Sequence, residues 1–586
     1  MTYSPISMIR NFAFTAGLSS LLVGCSLDSA QQAALTALPP QQAAAGSLFG
    51  AVSSADPRAT AAGEAILAQG GSATDAAIAV MLALTVVEPQ SSGIGGGGFM
   101  VRADAADNSI TTFDGRETAP AAATGTRFLD DAGERLPREV RVTSGLSVGV
   151  PGNIALAAEA HARHGKLDWA QLFVPAIALA RDGFQMNVRL HESLSSRAER
   201  AGLTAEARSV FFLPDGNARP VGSIVRNPEF ADTLIDLADR GAAALYEDNA
   251  RSLAEYIAER TPVGGRIVTA DILSYEAKLR DPVCGNYREY RVCGMGPPSS
   301  GGVAVVQMLG QLERFDLAAL GPDNPTFWHL FLESQRVAYA DRELYVGDSD
   351  FVDVPVEGLV DRNYIASRSA LINPTSTIAD LQPGTPPGAP LARADGDEPP
   401  ENGTTHFSIV DGDGNAISYT STVEGAFGSG LFFGGFYLNN ELTDFSSTPE
   451  RDGKPVANSV EGGKRPRSSM APTIVFDSEG EVLLVIGAAG GPTIPVQTAR
   501  SIIGVLDFGM SAKEALALPL IMSFGPATAI EAGGSLVGMQ EQLQALGHAQ
   551  IRAISPSLKA NALLRTEQGW EAAMDPRIDP KLVYER

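Results

Sequence analysis

Residues 401–422, ENGTTHFSIVDGDGNAISYTST, put a glycine, two threonines and a histidine directly before a strand, a tight turn and a second strand. The run upstream, LQPGTPPGAPLARADGDEPPENG, is rich in proline and glycine and has the composition of a linker. TTHFSIV and AISYTST surround the turn-rich DGDGN, which is a hairpin signal. If the loop is symmetric about Asp413, Val410 faces Ala416, Ser408 faces Ser418 and Thr404 faces Thr422. Directly opposed side chains of an antiparallel pair stand ~5 Å apart. Two threonine hydroxyls therefore meet at the open end of the hairpin, where the linker enters.

Such a junction suits nucleophilic chemistry. A threonine hydroxyl is a weak nucleophile unless a base sits beside it. Cleavage of the Gly403–Thr404 bond would free an α-amine whose ordinary pKa of ~7.7–8.0 leaves part of it neutral at pH 7. Thr404 would then carry its own base. A plainer reading stays open from this stretch alone. Asn402-Gly403 is a common turn dipeptide, strands often carry threonine, and Asn402-Gly403-Thr404 also matches a glycosylation sequon.

The chain has 586 residues, 44% of them hydrophobic, enough for one large core or several domains. Its net charge is −24, with dispersed acidic residues and no basic stripe, which argues against a nucleic-acid partner. Residues 1–25 read as a signal peptide: Arg10 precedes an apolar run too short to span a bilayer. Leu22-Val23-Gly24-Cys25 is similar to the lipobox of bacterial lipoproteins, which makes Cys25 a lipidation candidate; a secretory signal cut slightly later is the other reading. Both send the protein to the periplasm or the cell envelope, with membrane attachment only through a lipid anchor. Residues 26–45 form a low-complexity tether. Cys284 and Cys293 flank GNYREYRV, two short strands around a turn, and are either a disulfide or two buried thiols.

GGSATDAAIAVMLALTVVEP predicts a buried helix capped at Ser72 or Thr74 and ended before Pro89. Further helices are expected at GNIALAAEAHARHG, WAQLFVPAIALARDG, PTFWHLFLESQRVAYADREL and PTIPVQTARSIIGVLDFG, and mostly strands over 405–491. Gly93, Gly95 and Gly98 satisfy G-x-G-x-x-G, but a helix precedes them and a strand follows, the reverse of a dinucleotide site. Close backbone packing is the better use for them. His161 and His164 lie on a polar helix face with no third ligand, so no metal site is expected and the face reads as solvated.

TTHFSIVDGDGNAISYTSTVEGAFGSG, LNNELTDFS, KRPRSSMAPTIV and GAAGGPTI resemble, in order and spacing, the small subunit of γ-glutamyltranspeptidases. PQSSGIGGGGFMVRA, FDGRETAP, VGVPGN, GPPSSGG and AYADRELYVGD are similar to that family's large subunit, so the resemblance covers about residues 46–586. It implies an α/β fold of the α+β type, the four-layer αββα sandwich of N-terminal nucleophile hydrolases. It implies a precursor that cuts itself between Gly403 and Thr404 into a large subunit, 46–403, and a small catalytic subunit, 404–586. The implied activity is hydrolysis or transfer of the γ-glutamyl group of glutathione-like donors, without a cofactor. It passes through a γ-glutamyl-threonine ester, with amino acids or peptides as acceptors.

The resemblance assigns roles residue by residue. Thr404 is the nucleophile and Thr422 the partner of its hydroxyl. Gly490 and Gly491 are the oxyanion hole, on a strand end leading into a helix at about Pro492. Arg116, Ser468 and Ser469 bind the donor's α-carboxylate, and Glu441 and Asp444 its α-ammonium. Glu424 stands where many members have asparagine and some bacterial ones glutamate, and can still face the ammonium. Residues 446–466 occupy the place of a lid loop that carries a tyrosine in some members, but contain no aromatic residue. A glutaryl-amide acylase of the same fold and a non-catalytic envelope lipoprotein are the alternative readings.

Overall fold

The computed structural model describes residues 50–390, 393–396, 403–523, 525, 527–555 and 558–584. The expected leader, Cys25 and the tether lie outside the described residues, as do residues 397–402 of the linker.

In chain order the main strands are β1 (Gly50–Ser53), β2 (Gly97–Ala103), β3 (Ile110–Asp114), β4 (Lys278–Arg280), β5 (Val283–Tyr287) and β6 (Tyr290–Gly294). They continue with β7 (Thr405–Asp411), β8 (Ala416–Thr422), β9 (Thr473–Phe476), β10 (Val482–Ala489), β11 (Lys559–Thr566) and β12 (Gly569–Met574). One six-stranded antiparallel sheet runs β1-β7-β8-β2-β3-β4 and the other β12-β11-β10-β9-β6-β5. The sheets face each other. Helices α1 (Pro57–Ala68) and α2 (Ala73–Val87) cover the outer face of the first. Helices α3 (Gly301–Leu312) and α5 (Ile494–Leu506) cover the second, and α4 (Pro325–Tyr345) packs on α3. This is the four-layer αββα sandwich.

Local chemistry explains the elements. The Ser72 hydroxyl accepts from the Asp75 N–H and the Asp75 carboxylate accepts from the Ser72 N–H, a closed capping box that starts α2. Every residue of α2 is buried, as its unbroken apolar run demands. In the hairpin, Phe407, Ile409, Ile417 and Tyr419 join the core beneath the helices. The alternate residues point into the seam between the sheets, where Val410 and Ala416 are apolar and His406, Ser408, Ser418 and Thr420 are polar. Ser408 Oγ donates to the Val485 carbonyl at 3.1 Å, and Ser418 Oγ to the Ile486 carbonyl at 3.0 Å. His406 lies between Thr420 and Ser408, at 2.9 and 3.1 Å. Because Ser408 spends its proton on a carbonyl, it accepts from His406 Nε2–H. Burial pushes the His406 pKa down to about 3, so the ring is neutral. Gly487 makes room for it: a Cβ there would stand 2.5 Å from the imidazole.

The glycine run before β2 is used for close approach. A Cβ on Gly95 would stand 2.1 Å from the Tyr437 carbonyl, and one on Gly96 2.0 Å from that of Thr422. Cys284 and Cys293 pair directly across β5 and β6 and form a disulfide, S–S 2.07 Å.

Three sequence expectations need correction. Residues 423–472 contain only two short hairpins, Phe432–Phe433 with Phe436–Tyr437 and Glu450–Arg451 with Lys454–Pro455, besides the single turn of 3-10 helix Glu441–Asp444. Left-handed glycines at 428, 430, 434 and 435 interrupt any longer ladder. The His161 face is packed, not solvated: Nε2 lies 2.9 Å from the Leu167 carbonyl and the ring meets Trp169 edge-on. Finally, the turn after β10 is 3-10 over Gly491–Thr493, and α5 begins at Ile494, slightly later than Pro492.

Candidate active site

The hairpin register follows the symmetry about Asp413: Val410 pairs with Ala416 and Ser408 with Ser418. At its open end Thr404 Oγ1 donates to Thr422 Oγ1 at 3.2 Å, and both residues are buried. Thr422 Oγ1 also accepts the Glu424 N–H at 2.8 Å. Thr404 has φ +129°, a region that β-branched residues avoid, at a cost of roughly 1–3 kcal/mol. Gly403 packs so tightly that a Cβ would stand 2.1 Å from the Glu424 carbonyl. The Gly403–Thr404 peptide is thus held in a strained backbone with a hydroxyl poised beside it.

Gly490 and Gly491 lie at the end of β10. Ser408 meets Val485 and His406 meets Gly487 across the seam, so a further two-residue step along each strand brings Ala489 to the level of Thr404. Gly490 and Gly491 have φ +128° and +56°, conformations that glycine alone adopts cheaply. The Gly490 carbonyl is tied to the Thr493 N–H and hydroxyl, and the Tyr339 hydroxyl of α4 donates to the Pro492 carbonyl. Neither glycine N–H has an acceptor among the described residues. Two fixed donors ahead of a helix N-terminus can stabilise developing negative charge.

Beside the hydroxyl pair lies a buried cluster of acids around Arg116. The guanidinium binds Glu441 through Nη1 and Asp444 through Nη2. It also donates to the carbonyls of Pro466 and Arg467, at 3.2 and 3.0 Å. The fork assigned to the donor's carboxylate thus holds the two acids assigned to its ammonium. Glu424, with φ +70°, turns its carboxylate onto Asn440 Nδ2. Burial pushes the Glu424 pKa up to about 8, and the Asp444 charge adds to the rise. Burial likewise holds Glu441 well above the carboxylate range, against the pull of Arg116.

Glu117 belongs to the same cluster and was not singled out from the sequence. It is fully buried, 4.0 Å from Arg116 Nη1, and burial raises its pKa to about 8. Its only sequence signal is its place next to Arg116 in FDGRETAP. Ser468 and Ser469 follow Arg467, whose carbonyl accepts from Arg116. Ser468 Oγ accepts from the Met470 N–H at 3.1 Å, and Ser469 Oγ accepts from Arg342 at 2.6 Å. The lid-equivalent segment carries the exposed hairpin 450–455 and places no aromatic ring near this cluster.

The structure therefore brings Thr404 and Thr422 into contact, and Arg116, Glu441 and Asp444 into another, with Glu424 joined to Thr422 through its own N–H. The gamma-glutamyltranspeptidase family model matches residues 59–584. A glutathione hydrolase proenzyme from Bacillus subtilis is 36% identical over 512 residues, covering 85% of each chain. An acylase ACY 1 proenzyme from a Pseudomonas species is 34% identical over 528 residues, covering 88% of this chain and 89% of that one. The crystal structure of Helicobacter pylori gamma-glutamyltranspeptidase superposes with a TM-score of 0.54 at 35% identity, over 59% of this chain and 97% of that one. With most of its length matched both by the family model and by a relative of this identity, the chain belongs to the gamma-glutamyltranspeptidase family.

Proposed function

We propose that the chain is a self-processing γ-glutamyl hydrolase and transferase that cleaves glutathione and related γ-glutamyl amides. The observation that carries this reading is the 3.2 Å hydroxyl contact between Thr404 and Thr422, made on strained backbone beside a buried acid cluster.

In the first step Thr404 Oγ1 attacks the Gly403 carbonyl, and the peptide nitrogen leaves as the new α-amine. Water hydrolyses the resulting ester. Release of the positive-φ strain favours this step. In turnover the α-amine takes the hydroxyl proton as Oγ1 attacks the donor's γ-carbonyl. Gly490 and Gly491 N–H groups receive the oxyanion. The leaving amine departs with the proton, and water or an acceptor amine resolves the ester.

Donor recognition is an exchange of partners. The donor's α-ammonium takes over Glu441, Asp444, Glu424 and Glu117, and its α-carboxylate takes Ser468, Ser469 and the Arg116 fork. A charge-assisted, bidentate fork suits a carboxylate. We read residues 1–25 as an export leader with Cys25 as its lipid-anchor candidate, and the mature protein as a periplasmic or envelope-anchored pair of subunits, 46–403 and 404–586.

Incubation of the processed protein with glutathione, quenched in acid, should release glutamate and leave part of the small chain heavier by one γ-glutamyl group. No glutamate and no mass gain would refute the reading. The raised carboxyl pKa values also fix a pH dependence. Near pH 6 Glu424 and Glu117 are mostly protonated and attract an ammonium weakly; as pH rises through about 8 they ionise and attract it strongly. The donor KM should therefore fall between about pH 6 and 8.5, and Glu424→Gln should flatten that fall. A KM independent of pH over this range would remove these acids from the donor site.

A further inference from the structure

Ser468 and Ser469 are buried, each accepts a hydrogen bond from the protein, and neither finds an acceptor for its own proton among the described residues. For Ser469 the partner dictates this. Arg342 on α4 has a fully buried side chain whose Nη2 donates to Ser469 Oγ at 2.6 Å and whose Nε donates to Ser300 Oγ at 2.7 Å. A guanidinium has N–H donors and no acceptor. Ser469 must therefore accept, and its O–H is turned away from Arg342. Ser300 passes the restraint on: its hydroxyl and its N–H both donate to the Ser468 carbonyl, at 2.7 and 2.8 Å. Nη1 of Arg342 pairs with Glu343, which also binds Arg467 Nη2 at 2.6 Å. The Arg467 carbonyl in turn accepts from Arg116. One residue of α4 thus fixes both serines and touches the network that holds the Arg116 fork.

We propose that Arg342 is a positioning residue for donor selectivity: by holding Ser469 as an acceptor, it aims the serine's proton, with a positive charge behind it, at the donor's α-carboxylate. The proposal rests on the reading of Ser468 and Ser469 as the carboxylate site. A purely structural brace would look the same in the structure but behave differently toward substrates.

The test compares γ-glutamyl anilide with 4-aminobutyryl anilide, which lacks only the α-carboxylate, by single-turnover kcat/KM with the processed enzyme. Arg342→Met should lower kcat/KM for the γ-glutamyl anilide on the order of tenfold or more, chiefly through KM, as for a lost hydrogen bond to a charged group. The 4-aminobutyryl anilide should change by no more than about twofold. Ser469→Ala should lose the same selectivity, and the double variant should lose no more than Ser469→Ala alone. Equal losses on both anilides, or additive losses in the double variant, would overturn the proposal and leave a brace. If Arg342→Met does not fold, Arg342→Lys serves: an ammonium cannot hold Ser300 and Ser469 in one planar fork, so the preference should still fall, and an unchanged preference would overturn the proposal. A wild-type enzyme indifferent to the α-carboxylate would overturn the serine site itself. A wild-type preference that survives in Arg342→Met overturns only the role of Arg342.

Discussion

Thr404→Ala should accumulate as a single uncut chain with no γ-glutamyl transfer activity. The substitution removes the hydroxyl proposed to attack Gly403, and the same atom is the proposed nucleophile in turnover. Deleting a catalytic nucleophile typically costs more than about 10⁴-fold in kcat, so the residual activity should vanish into background. Thr404→Ser keeps the hydroxyl but loses the methyl that restricts χ1, so it should cut more slowly. In the wild type, the small chain should begin Thr-Thr-His-Phe on N-terminal sequencing. Gel electrophoresis of the purified variants with time distinguishes the three cases. A Thr404→Ala protein that still cuts at this bond would move the nucleophile elsewhere, and a small chain with another first residue would do the same. Thr422→Ala removes the partner that orients the Thr404 hydroxyl at 3.2 Å, and should slow cutting without abolishing it.

The hydroxyl pair was legible because a hairpin has only two variables, loop symmetry and strand parity. Once Asp413 is the centre of the turn, every pairing follows, and polar residues at 406, 408, 418 and 420 share one face. The buried helix α2 was legible for a similar reason: a cap, an apolar run and a terminal proline are local signals. The acid cluster was not. Arg116, Glu117, Glu441 and Asp444 come from segments more than three hundred residues apart, and no periodicity links them. Their positions came from resemblance, and Glu117 did not come at all. Nor does sequence reveal that the Arg116 fork is spent on Glu441 and Asp444, because that pairing is a property of the folded charge balance. The strand expectation over 423–472 failed where positive-φ glycines and the left-handed Glu424 and Phe427 let the chain wander around the site.

The sharpest division between a γ-glutamyl enzyme and a glutaryl acylase lies in one cation. γ-Glutamyl and glutaryl amides of the same leaving amine differ only in the α-ammonium. Glu117, Glu424, Glu441 and Asp444 converge where that ammonium is proposed to sit, with Arg116 as the cation ion-paired to three of them. A glutaryl donor would add a carboxylate to this cluster and bring no positive charge to offset it. The acids must then repel one another or take up protons, and their hydrogen-bond acceptors go unused. The difference should be on the order of 10²-fold or more in kcat/KM in favour of the γ-glutamyl amide. Its pH dependence carries the same signature. Below about pH 7 the raised pKa values of Glu117 and Glu424 let them stay neutral, so the glutaryl compound suffers less; the preference should widen as pH rises toward 8.5. Asp444→Asn should narrow the preference chiefly by harming the γ-glutamyl substrate, because it removes a charge that the ammonium uses. The leaving amine must be held fixed in every comparison, so that the donors differ only in the α-ammonium. An enzyme that favours the glutaryl amide at pH 8 would assign this acid cluster to structure and the chain's activity to the acylase branch of the fold.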